Sequence, residues 1–275
     1  MSKSKTFSSC IDRRKLYGDE YKALSLCESP RETKLIRRFI DICANALEKH
    51  IVEDRWSFDG ICYAFAETVV NYSKMAYDNL ILGHFHAVNM INRTILENCV
   101  LLDVLIHNDD LELWKYYLAH SYQSTIYKSN RIPTQSELDF LKKMLQDHNI
   151  SDEFYIKQNN RKKAYIDEPY GWTYQINKNF TFAGVCKLVN EVEYRGFQMM
   201  SEYTHATSLY TKLGSSVFIE QVMNMFVSLY IELYRMVTMY CWDTANDQFD
   251  EVSEKLEDIF YNFIDYEEAY VYKKK

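Results

Sequence analysis

The sequence contains few of the residues that interrupt regular structure. Among its 275 residues there are only 7 glycines and 3 prolines. An all-β fold needs a turn every few residues, and turns rely heavily on these two residue types. This shortage argues against an all-β fold and predicts long helices joined by few turns.

Paired cysteines and an N-terminal apolar stretch are also missing. The seven cysteines are odd in number and widely spaced, and no two of them form a CxxC pair. A disulfide framework or a zinc knuckle would show closer, paired spacing, so we expect free thiols in a reducing cytosol. The opening residues MSKSKTFSSC hold no apolar segment of the secretory type. These observations predict a cytoplasmic protein.

The sequence has no excess of basic residues. Its formal net charge is -7. A protein that grips nucleic acid over a wide face is usually basic, because its affinity comes largely from neutralising phosphates. Any RNA is therefore expected to bind in a local pocket. The one dense basic cluster in the middle of the chain, residues 161–163, is typical of a solvated loop.

Apolar residues at helical spacing are abundant. Hydrophobic residues make up 47% of the chain, and from residue 32 onward they recur at intervals of three and four. Ser57 is predicted to cap the second helix, and Thr134 or Ser136 a later one. No internal repeat is evident. We predict an all-α fold, a single multi-helix bundle domain of roughly eight helices. Its predicted parts are an N-terminal arm (1–30), the helical domain (31–265) and a C-terminal tail (266–275).

Two segments differ from the regular pattern. Residues 216–242 are apolar nearly all round, yet they include Glu220, Glu232 and Arg235. We therefore predict a central buried helix or a dimer interface there, and no membrane span. Residues 149–179 are irregular and contain Trp172. They predict a long loop, and long loops of this kind are often functional.

The segment YRGFQMMSEYTHAT, residues 194–207, combines helical spacing with polar side chains. Since each residue of a helix rotates by about 100°, Ser201 and His205 fall on one stripe and can touch. Arg195 flanks that stripe.

An earlier predicted helix repeats this theme within the sequence NRTILENCVLL. Its polar face continues into an apolar one, which predicts partial burial; the residues along this face are His86, Asn89, Arg93, Glu97, Val100 and Val104. We predict that the two polar stripes face each other, so that four residues converge inside a helical bundle: Arg93, Glu97, Ser201 and His205. The alternative is a buried polar network that fixes helix register without doing chemistry.

These two motifs resemble a bacterial family of unknown function. In that family an Arg-x3-Glu helix precedes a Tyr-Arg...Ser-x3-His helix, with a tryptophan-containing loop before the second motif. Trp172 occupies that loop here, and the likeness spans roughly residues 60–210. Such families are distantly similar to HEPN-type proteins, which are metal-independent ribonucleases common in toxin–antitoxin and antiviral defence systems. Their usual signature has four to six residues between an Arg and a His on one helix. Here nine residues lie between Arg195 and His205.

This likeness implies a metal-independent endoribonuclease whose residues can be given roles. His205 would shuttle the proton of an attacking ribose 2'-hydroxyl or of the leaving oxygen. Arg93 or Arg195 would stabilise the charge on the phosphate. Glu97 would hold an arginine in place, and Ser201 would orient the histidine. No cofactor is implied, and RNA would be the partner.

The sequence allows two other interpretations to be compared with a ribonuclease. Glu202 and His205 form a Glu-x-x-His pair, but a di-iron bundle needs two copies of this motif and the sequence holds one. The other interpretation is a non-catalytic helical module that senses a ligand, binds a partner protein or forms a homodimer. Enzyme and interaction module both stay open on the sequence alone.

Overall fold

The fold of the described residues is entirely helical. The computed structural model describes residues 30–81, 85–128, 134–147, 149, 169–173, 175–177, 181–189, 194–195, 197–198, 201, 232–241 and 249–255. Every regular element within these ranges is a helix and none is a strand. The all-α prediction is therefore confirmed. The predicted arm, apart from Pro30, and the predicted tail lie outside these ranges.

Six α-helices have complete bounds. They are α1 (Pro30–Lys49), α2 (Phe58–Ile81), α3 (Phe85–His107), α4 (Leu113–Lys128), α5 (Gln135–Asp147) and α6 (Phe182–Val189). Short 3-10 turns occupy Asp109–Leu111 and Gly171–Thr173, and residues 232–236 lead into a π-helical turn, Val237–Cys241. With the helical segments 232–241 and 249–255, the described ranges hold eight helical elements, in agreement with the predicted bundle.

The predicted helix starts are confirmed. Ser57 directly precedes α2, and its hydroxyl accepts a hydrogen bond from the Gly60 amide at 3.1 Å. Thr134 forms a capping box with Glu137: the Glu137 carboxylate accepts from the Thr134 amide at 2.9 Å, and the Glu137 amide donates to the Thr134 hydroxyl at 3.4 Å. Each cap supplies an acceptor for a backbone donor that the helix itself leaves unpaired.

The chain divides into two compact units. The first takes in α1, α2 from Val69 onward, α3 up to Ile95 and the chain from Met199. The second takes in the remainder, from His50 to Thr68 and from Leu96 to Gln198.

The first unit is built around the packing of α1 on the π-helical turn and on the segment 249–255. Phe39 of α1 is 1% exposed and stacks on Phe249, with ring centroids 5.3 Å apart. Tyr234 stacks on the same Phe249 ring at 5.5 Å. Of the segment predicted as a central buried helix, only residues 232–241 are described. Leu233 is fully buried there, but Tyr234 is 38% exposed, so this stretch is buried on one side only.

The second unit packs α4 against α5 and against the 3-10 turn Gly171–Thr173. Tyr117 of α4 lies between two aromatic rings, Phe65 of α2 at 5.0 Å and Trp172 at 5.3 Å. Trp172 is 1% exposed. The 3-10 turn Gly171–Thr173 is thereby fixed to the core of this unit.

None of the helices in the described ranges has both the length and the apolar character that crossing a membrane requires.

Candidate functional site

The polar face of α3 is partly buried, as its sequence predicts. Val100 and Val104 are 0% and 1% exposed, and Asn89 at the other end of the face is 5% exposed. Arg93 and Glu97 lie between them and are half-buried. Polar groups in such a position need partners, because removing them from water is costly.

Glu97 receives its partner from a distant part of the chain. The Tyr170 hydroxyl donates a hydrogen bond to Glu97 Oε1 across 73 residues of sequence. The contact is partly buried, where a hydrogen bond to a carboxylate is stronger than in water. It fixes one carboxylate oxygen of Glu97 relative to the segment that carries Trp172.

The position of Tyr170 follows from the local turn. Its carbonyl oxygen accepts from the Thr173 amide at 3.0 Å and from the Thr173 hydroxyl at 2.8 Å. Thr173 in turn accepts from the Asn177 amide at 2.8 Å. Because Trp172 inside this turn is buried against α4, the turn holds the Tyr170 side chain toward α3.

A row of aromatic rings continues from Tyr170 to the second motif. The Tyr170 ring lies 5.6 Å from that of Phe182 at the start of α6, and Phe182 lies 4.3 Å from Phe197. Phe197 belongs to the segment YRGF, two residues after Arg195. The second unit therefore joins Glu97 of the first motif, the tryptophan-containing turn and the beginning of the second motif in one contiguous assembly.

The five predicted site residues do not all belong to this assembly. Glu97 is part of it. Arg93 lies one turn before Glu97 on α3, and Arg195 is exposed close to Phe197. Ser201 is helical and half-buried. His205 lies outside the described residues, so the predicted convergence of Arg93 with His205 stays a prediction.

Sequence reasoning missed Tyr170 and Phe182. Tyr170 stands between Pro169 and Gly171, in a stretch that the sequence marks only as an irregular loop. Its hydroxyl has no helical spacing to Glu97 that a motif search could use. The available signal was the loop itself, which was predicted to be functional without any residue being named except Trp172.

A second polar contact of the same unit joins the start of α2 to the residue after α1. His50 Nε2 lies 2.9 Å from Asp59 Oδ1, and the His50 ring stacks on Tyr63 at 6.3 Å. Cys62, three residues after Asp59, is buried. Burial raises the pKa of the Cys62 thiol to about 12, with Asp59 and Asp109 adding to the effect. This thiol is therefore protonated at neutral pH and is no nucleophile.

The other described thiols are buried in the same way. Five cysteines are free and buried: Cys43, Cys62, Cys99, Cys186 and Cys241. Burial raises the pKa of Cys241 to about 12 and that of Cys43 well above its usual value, the nearby Cys241 adding to the shift of Cys43. Over the same described ranges, no group of three His, Cys, Asp or Glu side chains is arranged to hold a metal ion.

Comparison with known proteins identifies a family. Residues 59–216 match the family described as "Family of unknown function (DUF5677)". No curated protein and no solved structure matches the chain. The matched range runs from the first turn of α2 through α3, the Tyr170 turn and α6 to beyond Ser201, so it contains the whole Glu97 assembly. Because the match covers more than half of the 275 residues, the chain belongs to this family of unknown function.

Proposed function

We propose that the polar face of α3 forms a metal-independent pocket that binds RNA phosphate and cleaves the RNA backbone. The observation that supports it most is the contact between Tyr170 and Glu97. It joins the first motif to the tryptophan-containing turn, and the ring contacts from Tyr170 through Phe182 to Phe197 continue to the second motif. A carboxylate fixed in this way can hold an arginine in one orientation with its second oxygen.

The proposed chemistry uses the residues of both motifs. His205 removes the proton of the ribose 2'-hydroxyl, whose oxygen attacks the phosphorus atom and displaces the 5'-oxygen, which takes a proton from water. Alternatively, water accepts the 2'-hydroxyl proton and His205 protonates the departing 5'-oxygen. Arg93 or Arg195 stabilises the charge on the phosphate oxygens. Glu97, held by Tyr170, fixes an arginine, and Ser201 orients His205. The products are a 2',3'-cyclic phosphate and a free 5'-hydroxyl.

The proposed biological setting is cytoplasmic antiviral defence or a toxin–antitoxin pair in bacteria. It is supported by the distant likeness of the motifs to HEPN-type ribonucleases. A local pocket also agrees with the net charge of -7, which does not favour a wide nucleic-acid surface.

The test is cleavage of a fluorescently labelled single-stranded RNA in the presence of EDTA. We expect the wild-type protein to cut it and to leave a cyclic phosphate end. His205→Ala is expected to abolish cutting and to keep the melting temperature within a few degrees, because a catalytic histidine contributes little to the fold.

The opposite pattern would point to the non-catalytic interaction module. In that case His205→Ala lowers the melting temperature, and the wild-type protein leaves every RNA intact. A panel of RNAs with different loops and sequences, tested at low and moderate salt, ensures that a negative result does not reflect one unsuitable substrate.

A further inference from the structure

We infer that Asn89 and Arg93 form a binding site for a phosphate oxyanion on the first half of α3. The inference deepens the proposed function and rests on it for the identity of the natural ligand, the phosphate of RNA. Its physical basis is the state of the Asn89 side chain.

Asn89 carries a buried hydrogen-bond donor that the fold does not use. The side chain is 5% exposed, and its Nδ2 atom is sealed from solvent without a hydrogen-bond partner. Buried polar groups in proteins are nearly always paired, so an orphaned donor calls for a specific explanation such as a bound ligand.

Two other asparagines, Asn79 in α2 and Asn108 directly after α3, show that a local partner is available to such a side chain. Asn79 Nδ2 donates to the Met75 carbonyl at 2.9 Å, and Asn108 Nδ2 donates to the Val104 carbonyl at 2.8 Å. In both, the acceptor is the carbonyl four residues earlier, a common solution for polar side chains on helices. Asn89 occupies a more buried position and does not adopt this solution, which leaves its donor for another acceptor.

The positive charge of Arg93 favours an anion over a metal cation as the ligand. Arg93 is four residues after Asn89, so the two side chains lie on the same face one turn apart. An amide N–H and a guanidinium are both donors, and together they favour an anion with several acceptor oxygens. A metal cation would meet the positive charge of Arg93 and find no carboxylate among the residues one turn to either side of Asn89.

The polar residues of α3 then differ in hydrogen-bonding role between its first half and its second half. Asn89 and Arg93 provide donors, whereas Glu97, one turn further, is an acceptor already engaged by Tyr170. A phosphate group therefore binds on the side of Arg93 that faces Asn89. Since Nδ2 is sealed in the free protein, the Asn89 amide has to turn toward the ligand when it binds.

The experiment measures the binding of inorganic phosphate and pyrophosphate by thermal shift and by isothermal titration, at constant ionic strength set with sodium chloride. Asn89→Leu removes the donor and keeps the side-chain volume close to that of asparagine. We expect a higher melting temperature in the free variant, because the orphaned donor is gone. We also expect at least tenfold weaker phosphate binding.

Two further variants complete the design. Arg93→Gln is expected to weaken phosphate binding at least tenfold as well, which tests the site independently of how well Asn89→Leu folds. Asn79→Leu is the matched control, because it removes a helical asparagine whose donor is already paired. It is expected to bind phosphate as the wild type does.

The outcomes separate this site from the proposed ribonuclease. Phosphate binding that depends on Asn89 and Arg93, in a protein that cleaves no RNA, supports the oxyanion site and contradicts the cleavage. Wild-type protein that binds neither phosphate nor pyrophosphate overturns the site. Undiminished binding by Asn89→Leu also overturns it, because the Asn89 donor then has no part in binding phosphate.

Discussion

Asn89 and Glu97 are two polar residues on one face of one helix, and the fold treats them differently. Glu97 is half-buried and receives a hydrogen bond from Tyr170, which lies in a different segment of the chain. Asn89 is 5% exposed, and its amide donor receives no partner. The first arrangement fixes a side chain in place. The second leaves a buried hydrogen-bond donor unpaired. Because this lowers stability, it favours a role of the donor in binding a ligand.

Among substitutions around the Tyr170–Glu97 contact, removal of Trp172 should lower the free energy of unfolding the most. Its side chain anchors the turn that carries Tyr170. Trp172→Ala should lower the free energy of unfolding by about 3–5 kcal/mol, as large buried aromatic residues do when truncated. Chemical denaturation measures it. Trp56→Ala is the matched control, since Trp56 is 50% exposed, and its effect should stay below about 1 kcal/mol. Equal effects of the two substitutions would contradict the anchoring role of Trp172.

A somewhat smaller effect is expected at Gly184 of α6. A Cβ atom there would lie 2.5 Å from the Asn177 Oδ1 atom, and Asn177 is itself buried just after the Tyr170 turn. Gly184→Ala should therefore destabilise the protein by about 2–3 kcal/mol through overpacking.

The cause can be isolated by a double-mutant cycle in urea. Asn177→Ala removes the atoms that a Cβ at position 184 would meet. Gly184→Ala should then cost less in the Asn177→Ala background than in the wild type. If the two changes are additive, close contact with Asn177 is not the reason why residue 184 is a glycine.

The hydrogen bond between Tyr170 and Glu97 should contribute less to the free energy of unfolding than the packing at Trp172 or at Gly184. Tyr170→Phe removes one hydroxyl and keeps the ring against Phe182, so we expect a loss of about 1.5–2 kcal/mol, typical of a hydrogen bond to a charged group. Tyr122→Phe is the control, because Tyr122 also stacks on a phenylalanine, Phe140 at 4.8 Å. Its effect should be below about 0.5 kcal/mol.

The same variant tests the role of Glu97 in the proposed cleavage. If Tyr170 acts by holding Glu97, Tyr170→Phe should lower kcat for RNA cleavage in the wild type and change nothing further in a Glu97→Gln background. Independent, additive losses in kcat would contradict a role exerted through Glu97.

The helices could be predicted from the sequence because their signals are local. Apolar spacing, the cap at Ser57 and the cap predicted at Thr134 or Ser136 each act over a few residues. The structure has the caps at Ser57 and Thr134. The partial burial of the α3 face was predicted in the same way, because a polar stripe that continues into Val100 and Val104 has to enter the core.

The partners within the site could not be predicted, because they are set by tertiary packing. Tyr170 reaches Glu97 only because Trp172 is buried against Tyr117 of α4, and no spacing in the sequence encodes that chain of contacts. The unpaired donor of Asn89 could not be predicted either, since the sequence predicts that the residue is partly buried but not that its Nδ2 atom has no hydrogen-bond partner. The convergence of Arg93 with Ser201 and His205 stays a prediction.

The Cys62 thiol is a third kind of buried polar group. Its effect on the free energy of unfolding should be the smallest of those predicted here. Burial raises the pKa of its thiol from 9.0 in the unfolded chain to about 12 in the fold. The folded protein therefore keeps a proton that the unfolded chain loses, so stability is complete below pH 9 and falls as the pH rises toward 12. Between pH 8 and pH 10 this thiol should lower the free energy of unfolding by about 1.4 kcal/mol.

Urea denaturation of the wild type and of Cys62→Ala at both pH values isolates the contribution of this thiol, because every other titrating group is common to the two proteins. An equal loss of unfolding free energy in both proteins would mean that the Cys62 thiol reaches solvent. The comparison of buried polar groups would then consist of Glu97, which is hydrogen-bonded, and Asn89, whose donor is unpaired.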